Sequence, residues 1–157
     1  MKTDSQCQSA IVLGMHDAIV SLTGLIAGLS FAFRDSKIII VSCIISSITA
    51  SLSMGAANYL ATKTINPQGA VKSAWYTFAA YMATCVLLIL PFFVFDNREV
   101  CLMAVVLIAI LIIFGFNRFC YRGKIFYQRF FEMLSICSLV SIVAFFIGEI
   151  ASNIFGI

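Results

Sequence analysis

"GMHDAIVSLTGLIAGLSFAF", residues 14–33, is a run of apolar and small residues broken by His16, Asp17 and a few hydroxyls. A helix needs about 20 such residues to cross the ~30 Å of bilayer hydrocarbon. The stretch therefore reads as a membrane span, and it carries an acid near its start. A carboxylate at bilayer depth costs ~3 kcal/mol or more, so its presence calls for a partner.

The rest of the chain has the same character. Of 157 residues, 62% are hydrophobic and 11% charged, and the mean hydropathy is +1.05. A soluble domain is nearer half apolar and a quarter charged. A net charge of +3, with no basic run interleaved with aromatics, sets nucleic acid aside. The six cysteines, Cys7, Cys43, Cys85, Cys101, Cys120 and Cys137, have no CxxC spacing, and four lie inside apolar runs. They read as small hydrophobic residues, without a disulfide framework or thiolate metal site. The polar N-terminus "MKTDSQCQSA" lacks a basic start, and the first apolar run is too long for a signal-peptide core, so it reads as retained.

Five apolar runs stand out: residues 11–33, 38–61, 74–95, 100–116 and 130–150. Backbone groups in lipid must be paired within their own segment, which leaves helices as the economical choice. The predicted fold is all-α: one polytopic transmembrane domain over 1–157 with five helices. Five spans put the termini on opposite sides. Lys2, Lys63, Lys72, Arg118, Arg122, Lys124 and Arg129 fall on the N-terminal side, and Arg34, Lys37 and Arg98 on the other. The basic bias predicts a cytoplasmic N-terminus and a C-terminus across the membrane. Trp75, Tyr76 and Tyr81 fit an aromatic belt at a cytoplasmic edge.

The spans differ in texture. The third is mostly bulky and the fourth, "VCLMAVVLIAILIIFGF" (100–116), has no polar side chain, so both are expected to face lipid. The first carries Ser21, Thr23, Gly24, Gly28 and Ser30, with "GLIAG" (24–28) a GxxxG pattern. The second carries "SSITASLSMGAANY" (46–59). Small residues let helix backbones approach, so spans 1 and 2 are expected in the packed interior or at a two-fold dimer axis.

Asp17 lies ~9 Å deep from the cytoplasmic end of its run, and Met54, on the returning span, ~10 Å from the same surface. Asn58 is one turn nearer the cytoplasm on the face of Met54, and Ser21, Gly24 and Gly28 continue the face of Asp17. A carboxylate, a thioether and an amide oxygen at one level suit a borderline divalent ion better than magnesium or calcium. The plainer reading makes Met54 a gap filler and Asp17 an acceptor for a neighbouring hydroxyl. His16 points about 100° away from Asp17 and reads as structural. Glu132 reads as the partner of Arg129 in a snorkelling ion pair, and Glu149 as reaching headgroups or water. The chain has no GxSxG, HExxH or Gly-rich phosphate loop, so no enzyme and no resident cofactor are expected.

"GMHDAIVSLTGLIAGLSFAF" followed by "SITASLSMGAANYLATK" (47–63) resembles the first two spans of the vacuolar iron transporter family. "RFFEMLSICSLVSIVAFFIG" (129–148) resembles the fifth span of its short prokaryotic members. The resemblance implies five helices, a homodimer in membrane lipid, and a path between the copies for ferrous iron or manganese in exchange for protons. It places Asp17 and Met54 on that path. Two departures stand out. The family usually has Glu four residues after this Met, where this chain has Asn58. The connection "TKTINPQGAVKS" (62–73) lacks an acid and cannot form the Glu-rich metal-binding insert of eukaryotic members. The expected function is export of a divalent transition metal from the cytoplasm. The expected site is a cell inner membrane if prokaryotic, or an organelle membrane if eukaryotic. The alternatives are a non-transporting interaction or regulatory subunit that keeps the fold, and a transporter of another cation.

Overall fold

The computed structural model describes residues 2–33, 35–95, 97–120 and 124–155. They form α1 (Lys2–Ala32), α2 (Ser36–Ile65), α3 (Ala70–Ile89), α4 (Pro91–Val94), α5 (Arg98–Cys120) and α6 (Lys124–Phe155), with one 3-10 turn at Pro67–Gly69. No strand occurs among the described residues. Arg34 and Arg122, and the side chains of Lys2, Arg98 and Lys124, all used above for orientation, lie outside what is described, as does the side chain of Cys120.

The boundaries follow local chemistry. The Asp35 carboxylate accepts the Lys37 backbone N–H at 2.9 Å and caps α2. The Asn97 side chain accepts the Glu99 N–H at 2.9 Å before α5. Pro91 has no N–H to continue the ladder of α3, and the one-turn helix α4 takes over after Leu90, which keeps helical dihedrals.

Five stretches are long and apolar enough to cross a membrane: Gln6–Ala32, Ser36–Ile65, Pro67–Val94, Glu99–Arg118 and Ile125–Ile154. They match the five expected spans but mostly run longer, because apolar composition marks the hydrocarbon rather than the helix end. A 30-residue helix is about 45 Å long and reaches through the headgroup layers.

α1 is the hub and packs on α3, α6, α2 and α5. Its Ala18, Ile19, Leu22 and Ile26 meet Ile39 and Cys43 of α2, Tyr81, Cys85 and Leu88 of α3, and Val105 and Ile113 of α5 in one buried cluster. Cys43 and Cys85 are buried free thiols, and the buried Cys101 thiol donates to the Phe95 carbonyl at 3.2 Å. The expectation that the third span faces lipid is overturned. Its most apolar stretch is 44% buried, as much as that of α1, against 28% for α2, 22% for α5 and 6% for α6. Bulk apolarity does not drive burial among lipid tails. Ser73, Thr77 and Thr84, each a turn or two apart, give α3 a hydroxyl-bearing stripe that is fully covered. The outermost helix is α6.

The small-residue face of α1 takes the first of its two expected places, packing within the chain. A Cβ on Gly24 would lie 3.0 Å from Val140 Cγ1, and one on Gly28 3.1 Å from the Ala144 carbonyl oxygen. Gly148 leaves no room for a Cβ against the Gly28 carbonyl. The GxxxG pattern therefore closes α1 onto α6 of the same chain.

Candidate functional site

Asp17 is half-buried on α1. Leu13 and Ser21 stand one turn to either side of it on the same face, and both are exposed. On the N-terminal side Leu13 lines a polar opening of about 230 Å³ shared with Gln6, Ser9, Asn58, Thr62 and Ser73. On the other side Ser21 lines a groove of about 450 Å³ that continues past Gly24, Gly28 and Leu29 against Ala144 and Gly148. Asp17 thus sits midway along a strip of α1 that joins two openings. The carboxylate lies within electrostatic reach of Tyr81 and Cys85 of α3.

The strip is held by hydrogen bonds to α3. Ser21 Oγ and Tyr81 Oη are 2.7 Å apart. Thr77 Oγ1 donates to the Ala10 carbonyl at 3.1 Å, and Gly14 sits against the Thr77 carbonyl with no space for a Cβ. Nearer the N-terminal end, Asn66 Nδ2 donates to Gln6 Oε1 at 3.1 Å.

Met54 is half-buried and packs against the central cluster. The Asn58 amide is engaged with α3. Its Nδ2 donates to the Ser73 carbonyl at 3.2 Å, to Ser73 Oγ at 3.0 Å and to Thr77 Oγ1 at 2.6 Å. Its Oδ1 accepts from Thr62 Oγ1 at 3.2 Å. Asn58 borders the polar opening while its side chain ties α2 to α3. Around α2, Ser46, Thr49, Ser53 and Ala57 form a small, largely polar face that is at most partly covered.

The remaining polar groups divide cleanly. The His16 ring packs edge-on against Phe116, centroids 6.0 Å apart, within electrostatic reach of Arg129 and Glu132. Arg129 Nη1 and Glu132 Oε2 pair at 3.2 Å with both side chains more than half exposed, as the sequence suggested. Glu149 is exposed. No group of three or more His, Cys, Asp and Glu side chains gathers among the described residues. Sequence reasoning missed Tyr81, Thr77 and Ser73 as the supports of the strip. The available signal was a set of hydroxyls recurring every fourth residue, from Ser73 to Tyr81, in an otherwise bulky span. It also missed Asn117, fully buried on α5 one turn beyond the buried Ile113, with neither amide atom paired.

No curated protein matches the chain. Residues 8–68 match the model of the VIT family. The matched segment contains most of α1, all of α2, and with them Asp17, Met54 and Asn58. With five apolar helices of membrane-spanning length, that match supports a multi-pass membrane protein whose first two spans are similar to those of the vacuolar iron transporter family.

Proposed function

We propose that the protein carries a divalent transition metal, ferrous iron or manganese, out of the cytoplasm in exchange for protons, along the α1 strip centred on Asp17. The support is the position of that carboxylate. It is the acid midway between a polar opening bordered by Asn58 and a groove that begins at Ser21. A carboxylate facing a cation escapes much of its burial cost. It is also a group that can release a metal and take up a proton in its place.

In the proposed assembly two copies pair through the incompletely covered face of α2 at Ser46, Thr49, Ser53 and Ala57, which gains little from lipid. Two Asp17 carboxylates then balance one divalent ion, and Met54 supplies a thioether, a donor tolerated by iron and manganese better than by magnesium or calcium. Gly24 and Gly28 act by letting α6 close over α1, and Ser21 by lining the groove. The test is metal flux into liposomes across several metals with an imposed pH gradient. A metal-specific flux that acidifies or alkalises the opposite compartment is expected. No flux for any divalent metal contradicts the proposal.

Asn58 favours a second reading, a membrane subunit that keeps the fold without transporting. Its amide holds α2 to α3 and brings no charge to the opening. The same flux assay separates the two.

A further inference from the structure

The outer surface of the α2–α3 pair carries a built groove of about 280 Å³, away from the Asp17 strip. Leu52, Ala56 and Tyr59 form one wall, and Val71, Trp75 and Phe78 the other. Gly55 lets the two helices come close enough to form its floor, since a Cβ there would lie 3.3 Å from that of Phe78. Trp75 and Phe78 meet edge to face at 5.6 Å. The walls are fixed by the turn between the helices, where the Gly69 N–H bonds the Asn66 carbonyl and Asn66 is held by Gln6.

Two cations stand at one end. Lys63 is one turn beyond Tyr59, its Nζ 5.3 Å from the Tyr59 ring centroid. Lys72 follows Val71, its Nζ 5.9 Å from the Tyr76 ring centroid. The short connection puts both ammonium groups at the same membrane surface. Among the described residues neither meets a carboxylate, and the connecting segment, residues 62–73, contains none. An apolar slot in an aromatic belt, with two uncompensated cations at its membrane-surface end, matches a molecule that has an acyl chain and an anionic headgroup.

We infer that the α2–α3 groove binds an anionic glycerophospholipid, with one acyl chain between Ala56 and Trp75 and the phosphate between Lys63 and Lys72. Each lysine adds attraction to an anionic headgroup that a zwitterionic one lacks. The site does not depend on what the Asp17 strip carries.

Trp75 is the one tryptophan of the chain and lines the groove, so its fluorescence reads occupancy directly. The full chain is reconstituted at low ionic strength with brominated phosphatidylglycerol or brominated phosphatidylcholine at equal mole fraction. Phosphatidylglycerol is expected to quench Trp75 with a binding constant about 25-fold higher, roughly fivefold for each lysine. Lys63→Gln or Lys72→Gln should each cut the preference about fivefold, and the double variant should abolish it. Ala56→Leu, which fills the slot from its exposed side, should weaken quenching by both lipids. Equal quenching of the wild-type protein by the two lipids overturns the inference without any variant. So does a preference that survives the double variant. Disulfide capture of Val71→Cys, on the α3 wall away from the proposed α2 dimer face, between two copies in native membranes overturns it as well, because the groove would then be covered by a second chain.

Discussion

The Ser21 hydroxyl and the Tyr81 phenol, sixty positions apart, are hydrogen-bonded at 2.7 Å. That contact fixes the α1 strip one turn beyond Asp17 against α3. Tyr81 is only 2% exposed, so removing its hydroxyl changes the bond and little of the packing. Tyr81→Phe is expected to lower stability in detergent by about 0.6–1 kcal/mol, the range for an interhelical bond in membrane proteins. It should slow metal flux more than that loss explains, because Ser21 is freed to turn into the groove. Parallel unfolding and flux measurements check both parts.

Asn58 is the position where the family's usual Glu is missing, and its hydrogen bonds say what restoring an acid would cost. Of the three Nδ2 contacts, the one to the Ser73 carbonyl can be met only by a donor, whereas the Ser73 and Thr77 hydroxyls can also donate. Asn58→Asp keeps the shape but faces the Ser73 carbonyl with an oxygen. It should destabilise the chain by about 1–3 kcal/mol, the cost of leaving buried partners unpaired. Asn58→Glu, which would put an acid at this position, meets the same penalty unless Ser73 or Thr77 is changed with it. Thermal unfolding of the single and paired variants decides this.

The glycines of α1 separate two accounts of GxxxG. If the pattern closes α1 on α6 within one chain, Gly148→Ala and Gly28→Ala should each cost about 1–3 kcal/mol through overpacking. Gly115, with nothing within 4 Å of a built Cβ, provides the control. Gly115→Ala should be neutral or stabilising by up to about 1 kcal/mol. At matched amounts of folded protein, cross-linking yield should be the same for all three. A selective loss of dimer in the Gly28 variant would return that glycine to the interface between copies.

The Arg129–Glu132 pair lies at the surface with both side chains more than half exposed. Glu132→Gln is expected to change stability by less than about 1 kcal/mol, since exposed pairs gain little over their hydration. Unfolding at low and high salt checks it.

Much of this architecture is legible in composition, because bilayer thickness sets a length that apolar runs must meet. Asp17 is legible for the same reason: an acid in such a run is costly and conspicuous. What the runs conceal is which helix lies inside. Lipid and protein interior are alike to Leu and Phe, so the bulk of α3 misleads, while its Ser73, Thr77 and Thr84 stripe carries the information. Asn58 is legible only in part. Its depth suggests the neighbourhood of Asp17, but its rotation toward Ser73 and Thr77 depends on where α3 stands, which spacing along α2 does not contain. Gly24 and Gly28 announce a close helix contact without naming the partner, and the partner is α6.

The central claim is that Asp17 meets the transported ion. It is tested most directly by metal-dependent flux of Asp17→Asn in liposomes, at protein levels matched to wild type and with folding verified by the unfolding midpoint. Asn keeps the size of the side chain and removes the charge that balances a divalent cation. The account predicts that ferrous iron or manganese flux falls to the level of empty liposomes and that the accompanying proton movement disappears with it. Wild-type flux from Asp17→Asn would contradict the account.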